Sequence, residues 1–478
     1  MHAAAFWRFA ALAAVGILGG AARAGGAIPK RPNIVFVLTD DQGYGDLACH
    51  GNPVVRTPNI DRLHSESVRF TDYHVSPTCA PTRCSLMTGQ HEFKSGVTHT
   101  ILERERMSLK ATTVVQLIRE AGYATGIFGK WHLGDEAPYQ PGKRGFDETF
   151  IHGAGGIGQT YQGSCGDAPG NTYFDPAILH NGVFEKTKGF CTDVFFGQAL
   201  KWIEATKGKK PFYAAITTNA PHAPYVCPEN YAAMYRDRVD PKIVGFYGMI
   251  TNIDDNVGKL LDKLKEWGIE KDTLVIFMTD NGSAAGAKVH NAGMLGSKGT
   301  PHNGGTRVPC FFRWPGTLQP GDRTRLTAHL DFFPTLAELT GAAVPEAVRA
   351  KLEGFSLVPL LENERAAWPD RFLVTHVGRW PRGRAAESKF QNCSIRKGPH
   401  LMVRGKGGWL LYDLTKDPGQ KQDNAAENPQ VVKELEAIYD RWWEETLPCL
   451  ENEDAVGPAV NPFKELFWKQ LGGGPGDK

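Results

Sequence analysis

The run from Ile34 to Thr39 carries no charge and stops abruptly at Asp40-Asp41-Gln42-Gly43. A continuous apolar run this short predicts a strand buried on both faces. The same reading predicts strands at Tyr123 to Phe128, Phe212 to Thr217 and Thr273 to Thr279, with another at Val68 to Val75. Helical stretches fall between them. Thr57-Pro58 opens a short helix, with Thr as N-cap and Pro in the first turn. Thr112 to Ala121 closes at Gly122, Thr192 to Ala205 is amphipathic, and Lys242 to Trp267 forms a long helix. Strand and helix alternate, which predicts an α/β sandwich with a mostly parallel central sheet over residues 30–365. Around Pro359 to Pro369 the texture changes. Short strands at Phe372 to Val377 and Gly408 to Tyr412, then a helix at Asn428 to Thr446, predict a small C-terminal α+β subdomain over 370–450. The end, 463–478, closing on GGGPGDK, reads as a flexible tail. No internal repeat is visible.

Composition narrows the class. The N-terminus carries His2 and Arg8, an apolar stretch from Phe9 to Leu18, and Ala22-Arg23-Ala24. That order predicts a cleaved signal peptide over 1–24 and a periplasmic or secreted protein. No later apolar run is long enough to span a bilayer, and no cysteine precedes Cys49, so no membrane anchor is expected. A net charge of +2 without a basic tract argues against a nucleic-acid partner. Nine cysteines would leave one over in a set of disulfides.

Several predicted strands end in residues of catalytic type. The first ends in Asp40-Asp41 and the Thr273 strand in Asp280-Asn281. The Tyr123 strand runs into Gly129-Lys130-Trp131-His132 and the Phe212 strand into Asn219-Ala220-Pro221-His222. Sites of open α/β sheets form at the carboxyl ends of their strands. Asp40, Asp41, Asp280 and Asn281 offer oxygen ligands only, a set that suits calcium better than zinc. The alternative is a pair of Asx turns capping helices.

Residues 79–83 read Cys-Ala-Pro-Thr-Arg. With Pro81 as the first helical residue, Cys79 lies just before a helix N-terminus, where free N–H groups favour an anion, and Arg83 one turn in can grip oxyanions with its fork. A disulfide at Cys79 stays open as the alternative.

Cys79-x-Pro81-Thr82-Arg83 followed by Leu86-Met87-Thr88-Gly89 resembles the signature of the type I sulfatases, formylglycine-dependent and arylsulfatase-like members of the alkaline phosphatase superfamily. Further blocks match in family order across nearly the whole chain: Asp40-Asp41-x-Gly-Tyr-Gly-Asp46, Gly129-Lys-Trp-His-Leu-Gly134, Ala220-Pro-His222, Thr279-Asp-Asn-Gly282, Gly296-Ser-Lys298-Gly-Thr300 and Leu411 to Pro418. The resemblance implies an alkaline-phosphatase-like fold and hydrolysis of aryl or, in nature, carbohydrate sulfates, releasing sulfate through a sulfated formylglycine intermediate. It implies that Cys79 is oxidised during export to Cα-formylglycine, by a formylglycine-generating or anaerobic sulfatase-maturating enzyme. Calcium would be held by Asp40, Asp41, Asp280 and Asn281 and would touch residue 79. Arg83 and Lys130 would hold the hydrate, Lys298 and His222 would grip the sulfate with one of them protonating the leaving oxygen, and His132 would take the proton that expels sulfate. Removing Cys79 leaves eight cysteines, an even number.

Other readings stand beside these. Lys130 and Lys298 could be surface lysines and His132 a packing histidine beside Trp131. The activity could be that of a phosphate mono- or diester hydrolase of the same superfamily, or the chain a non-catalytic binder of sulfated glycans. Where many sulfatases carry a glutamate before a Gly-Gly pair, this chain has Pro301-His302-Asn303; these residues either line the substrate pocket or support the loop. Arg379 to Arg384 either meets an anionic sugar or is a solvated loop. The glycine-rich stretch His152 to Gly170 lacks GK[ST], so it is no P-loop, and reads as a mobile rim.

Overall fold

The computed structural model describes residue 28 and residues 31–475; the expected signal peptide lies outside the described residues. Among them no helix is long and apolar enough to cross a membrane.

A ten-stranded sheet forms the centre of the molecule. From one edge its strands are Gly321–Arg323, Val68–Phe70, Cys310–Arg313, Thr273–Thr279, Asn33–Thr39, Phe212–Thr217, Ala124–Lys130, Glu148–His152, Ala177–His180 and Val183–Lys186. The five from Thr273–Thr279 to Glu148–His152 pair in parallel, and antiparallel strands flank them on both sides. Alternation along each strand feeds two cores. Ile34, Phe36, Leu38, Ile276 and Met278 pack with Ala80, Val115, Ile118, Phe332 and Leu336 on one face. Val35, Val37, Val275 and Phe277 pack with Phe195, Ala199, Met249, Ile253 and Val257 on the other. Burial on both faces explains why these strands read as unbroken apolar runs.

The parallel register aligns the strand ends. Thr39 is opposite Thr279, Leu38 opposite Thr217, and Thr217 opposite Gly129. Asp40, Asp280, His222 and His132 therefore leave the same edge of the sheet within a few residues of each other.

After Phe372 a four-stranded antiparallel sheet, Phe372–His376, Cys393–Lys397, His400–Gly405 and Gly408–Asp413, packs with the helix Pro429–Thr446. Its first and last strands and its helix were expected; the hairpin between them, Cys393–Lys397 and His400–Gly405, was not.

Four expectations need correction. The stretch Val68 to Val75 is two strands, Val68–Phe70 and Tyr73–His74, and the second pairs with Thr327–Ala328 in a separate sheet. The helix expected to start at Pro81 runs Cys79–Thr88, with Thr78 as N-cap, so Cys79 is its first residue. The end of the chain is not a flexible tail from 463 on. Pro462–Leu471 is a helix whose first N–H groups bond to Asn461 Oδ1, and Phe463 is buried against Phe184. Phe463, Leu466 and Phe467 recur at helical spacing and bring an apolar stripe onto the core. Finally, all nine cysteines are unpaired. Cys84, Cys191, Cys310 and Cys393 are buried as small apolar side chains, and the even count of eight left after Cys79 carries no pairing information.

Candidate active site

The helix Cys79–Thr88 is buried along its whole length and aims its N-terminus at the aligned strand ends. A ligating atom of Cys79, Asp40 and Asp280 each lies within 4.8 Å of the other two. Around this trio stand three basic side chains, each tied to one carboxylate. Lys130 Nζ is 2.6 Å from Asp40 Oδ2, Lys298 Nζ is 2.6 Å from Asp41 Oδ1, and Arg83 Nη2 is 2.8 Å from Asp280 Oδ2. Arg83 also donates from Nε to Asp280 and from Nη1 to the Lys130 carbonyl. Its fork is therefore turned onto the carboxylate and the neighbouring strand end rather than left open for an oxyanion. Lys130 is fully buried, so neither it nor the part-buried Lys298 is a solvated surface lysine.

Three carboxylates and three cations balance to zero. Two oxygens nevertheless remain buried without a partner: Asp40 Oδ1 and Asn281 Oδ1. Asn281 spends its amide N–H groups on Asp41 Oδ1 and the Gly282 carbonyl, which fixes its oxygen as the free atom. Asp41 holds its place by donating its backbone N–H to Asp280 Oδ1. Unpartnered buried oxygens are costly unless something else satisfies them, and a hard cation is what such a set takes.

The field of the cluster shows in its protonation. Burial pushes Asp40 up to about 7 against the pull of Lys130. Burial and the Asp40 charge lift Asp280 to about 6. Burial would raise Asp41 too, but Lys298 and His222 prevail and hold it below the usual carboxylate range. Burial also opposes ionisation of the Cys79 thiol, yet Lys130 and Lys298 bring it below its ordinary value.

The two histidines differ in orientation. His132 Nε2 lies 2.8 Å from the Thr100 carbonyl, so Nε2 carries the proton and Nδ1 keeps its lone pair, buried and without a partner. Burial and the Lys130 charge hold its pKa well below the ordinary value, so it stays neutral. His222 donates from Nδ1 to the Ala223 carbonyl at 2.7 Å and turns Nε2 toward Asp41 Oδ2, 3.7 Å away. Burial lowers its pKa, with Asp41 acting against the shift. Both Asp41 and His132 sit in the left-handed region, at φ 63 and 61, a conformation uncommon outside glycine and typical of functional sites.

Several contributors escaped the sequence. Thr100, whose carbonyl fixes the His132 tautomer, belongs to no motif. Gly155 packs so closely that a Cβ there would come within 2.6 Å of His132 Cε1. The stretch His152 to Gly170 is largely buried rather than a mobile rim: Asp135 accepts the N–H groups of Ala154 and Gly166, and Asp167 those of Gly153 and Gly158. Only its middle, 158–163, and its end at Pro169-Gly170 reach solvent to any extent. His302 and Asn303 support the loop, both bonded to Gln420 of the small subdomain. In the arginine-rich stretch Trp380 is buried, while Arg379 is exposed and reaches Thr100 Oγ1 at 3.4 Å.

Comparison with known proteins follows the same outline. The family model described as Sulfatase matches residues 32–342, and one described as N-sulphoglucosamine sulphohydrolase, C-terminal, matches 297–444. The chain is 29% identical to human (Homo sapiens) arylsulfatase A, over 87% of this chain and 88% of that one. It is 30% identical to N-acetylgalactosamine-6-sulfatase of Mus musculus, over 88% of each. The solved structure of Ps i-CgsB in complex with k-i-k-neocarrahexaose superposes with a TM-score of 0.78 at 26% identity, covering 90% of this chain and 95% of that one. Strand ends, the helix that begins at Cys79 and the matched families agree: the chain belongs to the sulfatase family, as a type I sulfatase of the alkaline phosphatase superfamily that hydrolyses sulfuric esters.

Proposed function

We propose that this chain hydrolyses sulfate esters of carbohydrates at the Cys79 centre, with calcium in the carboxylate cradle and Cys79 converted to formylglycine. The observation that carries the reading is the pair of unpartnered buried oxygens, Asp40 Oδ1 and Asn281 Oδ1, in the cluster that closes on residue 79. Calcium fits these residues, which would hold it together with Asp41 and Asp280. A thiol sulfur is the one soft donor in an otherwise all-oxygen set, and an oxygen function at position 79 removes that mismatch. Bound there, calcium would neutralise charge on the sulfuryl group and favour ionisation of the hydroxyl at residue 79.

A hydrated aldehyde at residue 79 would supply two geminal hydroxyls, one able to attack sulfur and one whose deprotonation would let sulfate leave. The chain's own side chains supply the rest. The helix N-terminus, Lys130 and Lys298 present positive charge to the sulfuryl oxygens. Lys298, or His222 once its Nε2 has taken a proton against the burial that lowers its pKa, donates the proton that the leaving alcohol oxygen needs. His132, neutral and with Nδ1 free, accepts the proton of the second hydroxyl. Arg83 acts through Asp280, holding that carboxylate and the end of the Lys130 strand in place.

Cys79, Pro81 and Arg83 are all buried. An oxidising enzyme that reads Cys-x-Pro-x-Arg would therefore meet them before this helix packs, during export. A carbohydrate substrate is supported by relatives named for N-acetylgalactosamine 6-sulfate and by the carrageenan-oligosaccharide complex. A sulfate-release screen over aryl sulfates and sulfated saccharides, with phosphate esters as controls, tests the reading. Turnover of phosphate esters alone would overturn it.

A further inference from the structure

A second cluster of metal-binding side chains lies outside the active centre. Cys49 and His50 belong to the short turn Ala48–His50, and His64 lies in the last turn of the helix Pro58–Ser65. One ligating atom of each lies within 4.8 Å of the other two, and all three residues are partly buried. The turn is fastened to the helix: the Ala48 N–H donates to Thr57 Oγ1 and the Cys49 N–H to Asp61 Oδ1, both at 3.0 Å. The His50 ring is fixed on both counts that matter for a ligand. Its Nδ1 lies 2.8 Å from the Tyr44 carbonyl, so that nitrogen carries the proton and Nε2 keeps the lone pair. Its plane is set by Tyr44, stacked on it at 3.8 Å, and by Phe311, edge-on to both His50 and His64. A carbonyl that fixes the tautomer is the usual outer partner of a metal-binding histidine.

We propose that Cys49, His50 and His64 form a binding site for a zinc-like divalent transition metal, distinct from the oxygen-lined calcium cradle. One thiolate and two imidazoles form a borderline donor set that zinc accepts and calcium refuses. Three protein ligands leave the fourth tetrahedral position for water. In tetrahedral zinc sites the ligand atoms stand about 3.5 Å apart, as follows from bonds of roughly 2.0–2.3 Å. With the trio already within 4.8 Å, closing it needs shifts of no more than roughly 1 Å, which the part-buried His64 can make. Burial pushes the His50 pKa down to about 3, so this ligand is already neutral. Burial and Asp61 push the Cys49 thiol up, so binding must expel its proton to solvent, leaving thiolate on the metal. Asp61 and Asp322 then face the bound charge, while Arg69 and Arg307 oppose it.

The test uses the full chain carrying Cys79→Ala, so that the active-centre thiol contributes nothing, saturated with calcium and titrated with Zn(II) alone. One equivalent of zinc should bind by calorimetry, with one proton released, and Co(II) in its place should show a thiolate-to-metal charge-transfer band. Adding Cys49→Ser should abolish the equivalent and the band, and adding His64→Gln should weaken zinc at least tenfold. Absence of the band in the parent, an equivalent retained in the Cys49→Ser variant, or an unchanged zinc affinity in the His64→Gln variant would overturn the proposal. Because no turnover is read, the outcome stands apart from that of the sulfatase mechanism.

Discussion

Two groups of buried carboxylates lie within one molecule and are handled in opposite ways. In the cradle, Asp40, Asp41 and Asp280 are each matched by a lysine or arginine, and oxygens are left over. Beneath the glycine-rich loop, Asp135 and Asp167 are consumed by backbone N–H groups, and Glu105 takes the Ser164 hydroxyl on Oε1 while its Oε2 stays without a partner. Burial raises all three, Glu105 to about 7 and Asp167 to about 6. The first group keeps charge and unspent donors for a ligand; the second holds a loop in place beside His132. Burial alone does not mark a site. Opposed fixed charges do, and an unsatisfied oxygen counts only beside them, since Glu105 of the loop group leaves one too.

The sharpest break should come at position 79. In a host whose modifying enzyme accepts only cysteine, Cys79→Ser should lose all turnover while keeping the melting curve, because a single hydroxyl cannot expel sulfate. Wild-type rates from that variant would refute the mechanism.

The histidines come next. His132→Ala should release about one alcohol equivalent per site in a burst and then stall, the mark of an accumulating covalent intermediate. The peptide carrying position 79 should then be heavier by one sulfuryl group. His222→Ala should show no such adduct and should suffer more with sugar sulfates than with aryl sulfates, whose phenolate leaves unaided. The same adduct in both variants would mean the two roles are misassigned.

Chelation of calcium should lower activity and melting temperature together. At a hundredfold excess over Kd a bound ion stabilises the native state by about 2.7 kcal/mol, so a shift of several degrees is expected. The pairing of each carboxylate with a cation keeps the metal-free cradle from flying apart, so the fold should survive. An unchanged melting curve with full activity after exhaustive chelation would remove the metal from the cradle.

The smallest effect belongs to the loop group. A carboxyl raised in the folded state contributes stability that is complete below its unfolded value and is lost as pH rises through the folded one. For Glu105 that window runs from roughly 4.5 to about 7. Glu105→Gln should therefore lose about 1–3 kcal/mol less than wild type between pH 5 and pH 8, with turnover little changed. Thermal melts across that range would show it. A collapse of turnover with unaltered melts would erase the contrast between the two groups.

Much of this was legible in the chain. Strands buried on both faces announce themselves as apolar runs, and in a parallel sheet their carboxyl ends must lie side by side, so Asp40-Asp41, Asp280-Asn281, Lys130, His132 and His222 could be gathered before any coordinates. The Thr100 carbonyl, Gly155 and the Asp135 clamp could not be, because they act through backbone atoms or through the lack of a side chain.

The sequence by itself determined the four central strands of the sheet, the identity of the charged residues at their ends and a helix beside Cys79, since periodicity and residue chemistry are local properties. Only the tertiary structure decided which cation meets which carboxylate, that Arg83 serves Asp280 instead of an open oxyanion site, which nitrogen of each histidine is free, and that the last helix packs. Those outcomes depend on distances between segments far apart in the chain, such as the 239 residues between Asp41 and Asp280. No local pattern encodes such a distance; it is fixed when two hydrophobic faces close on one sheet and leave its polar edge a single arrangement in which the buried charges are matched.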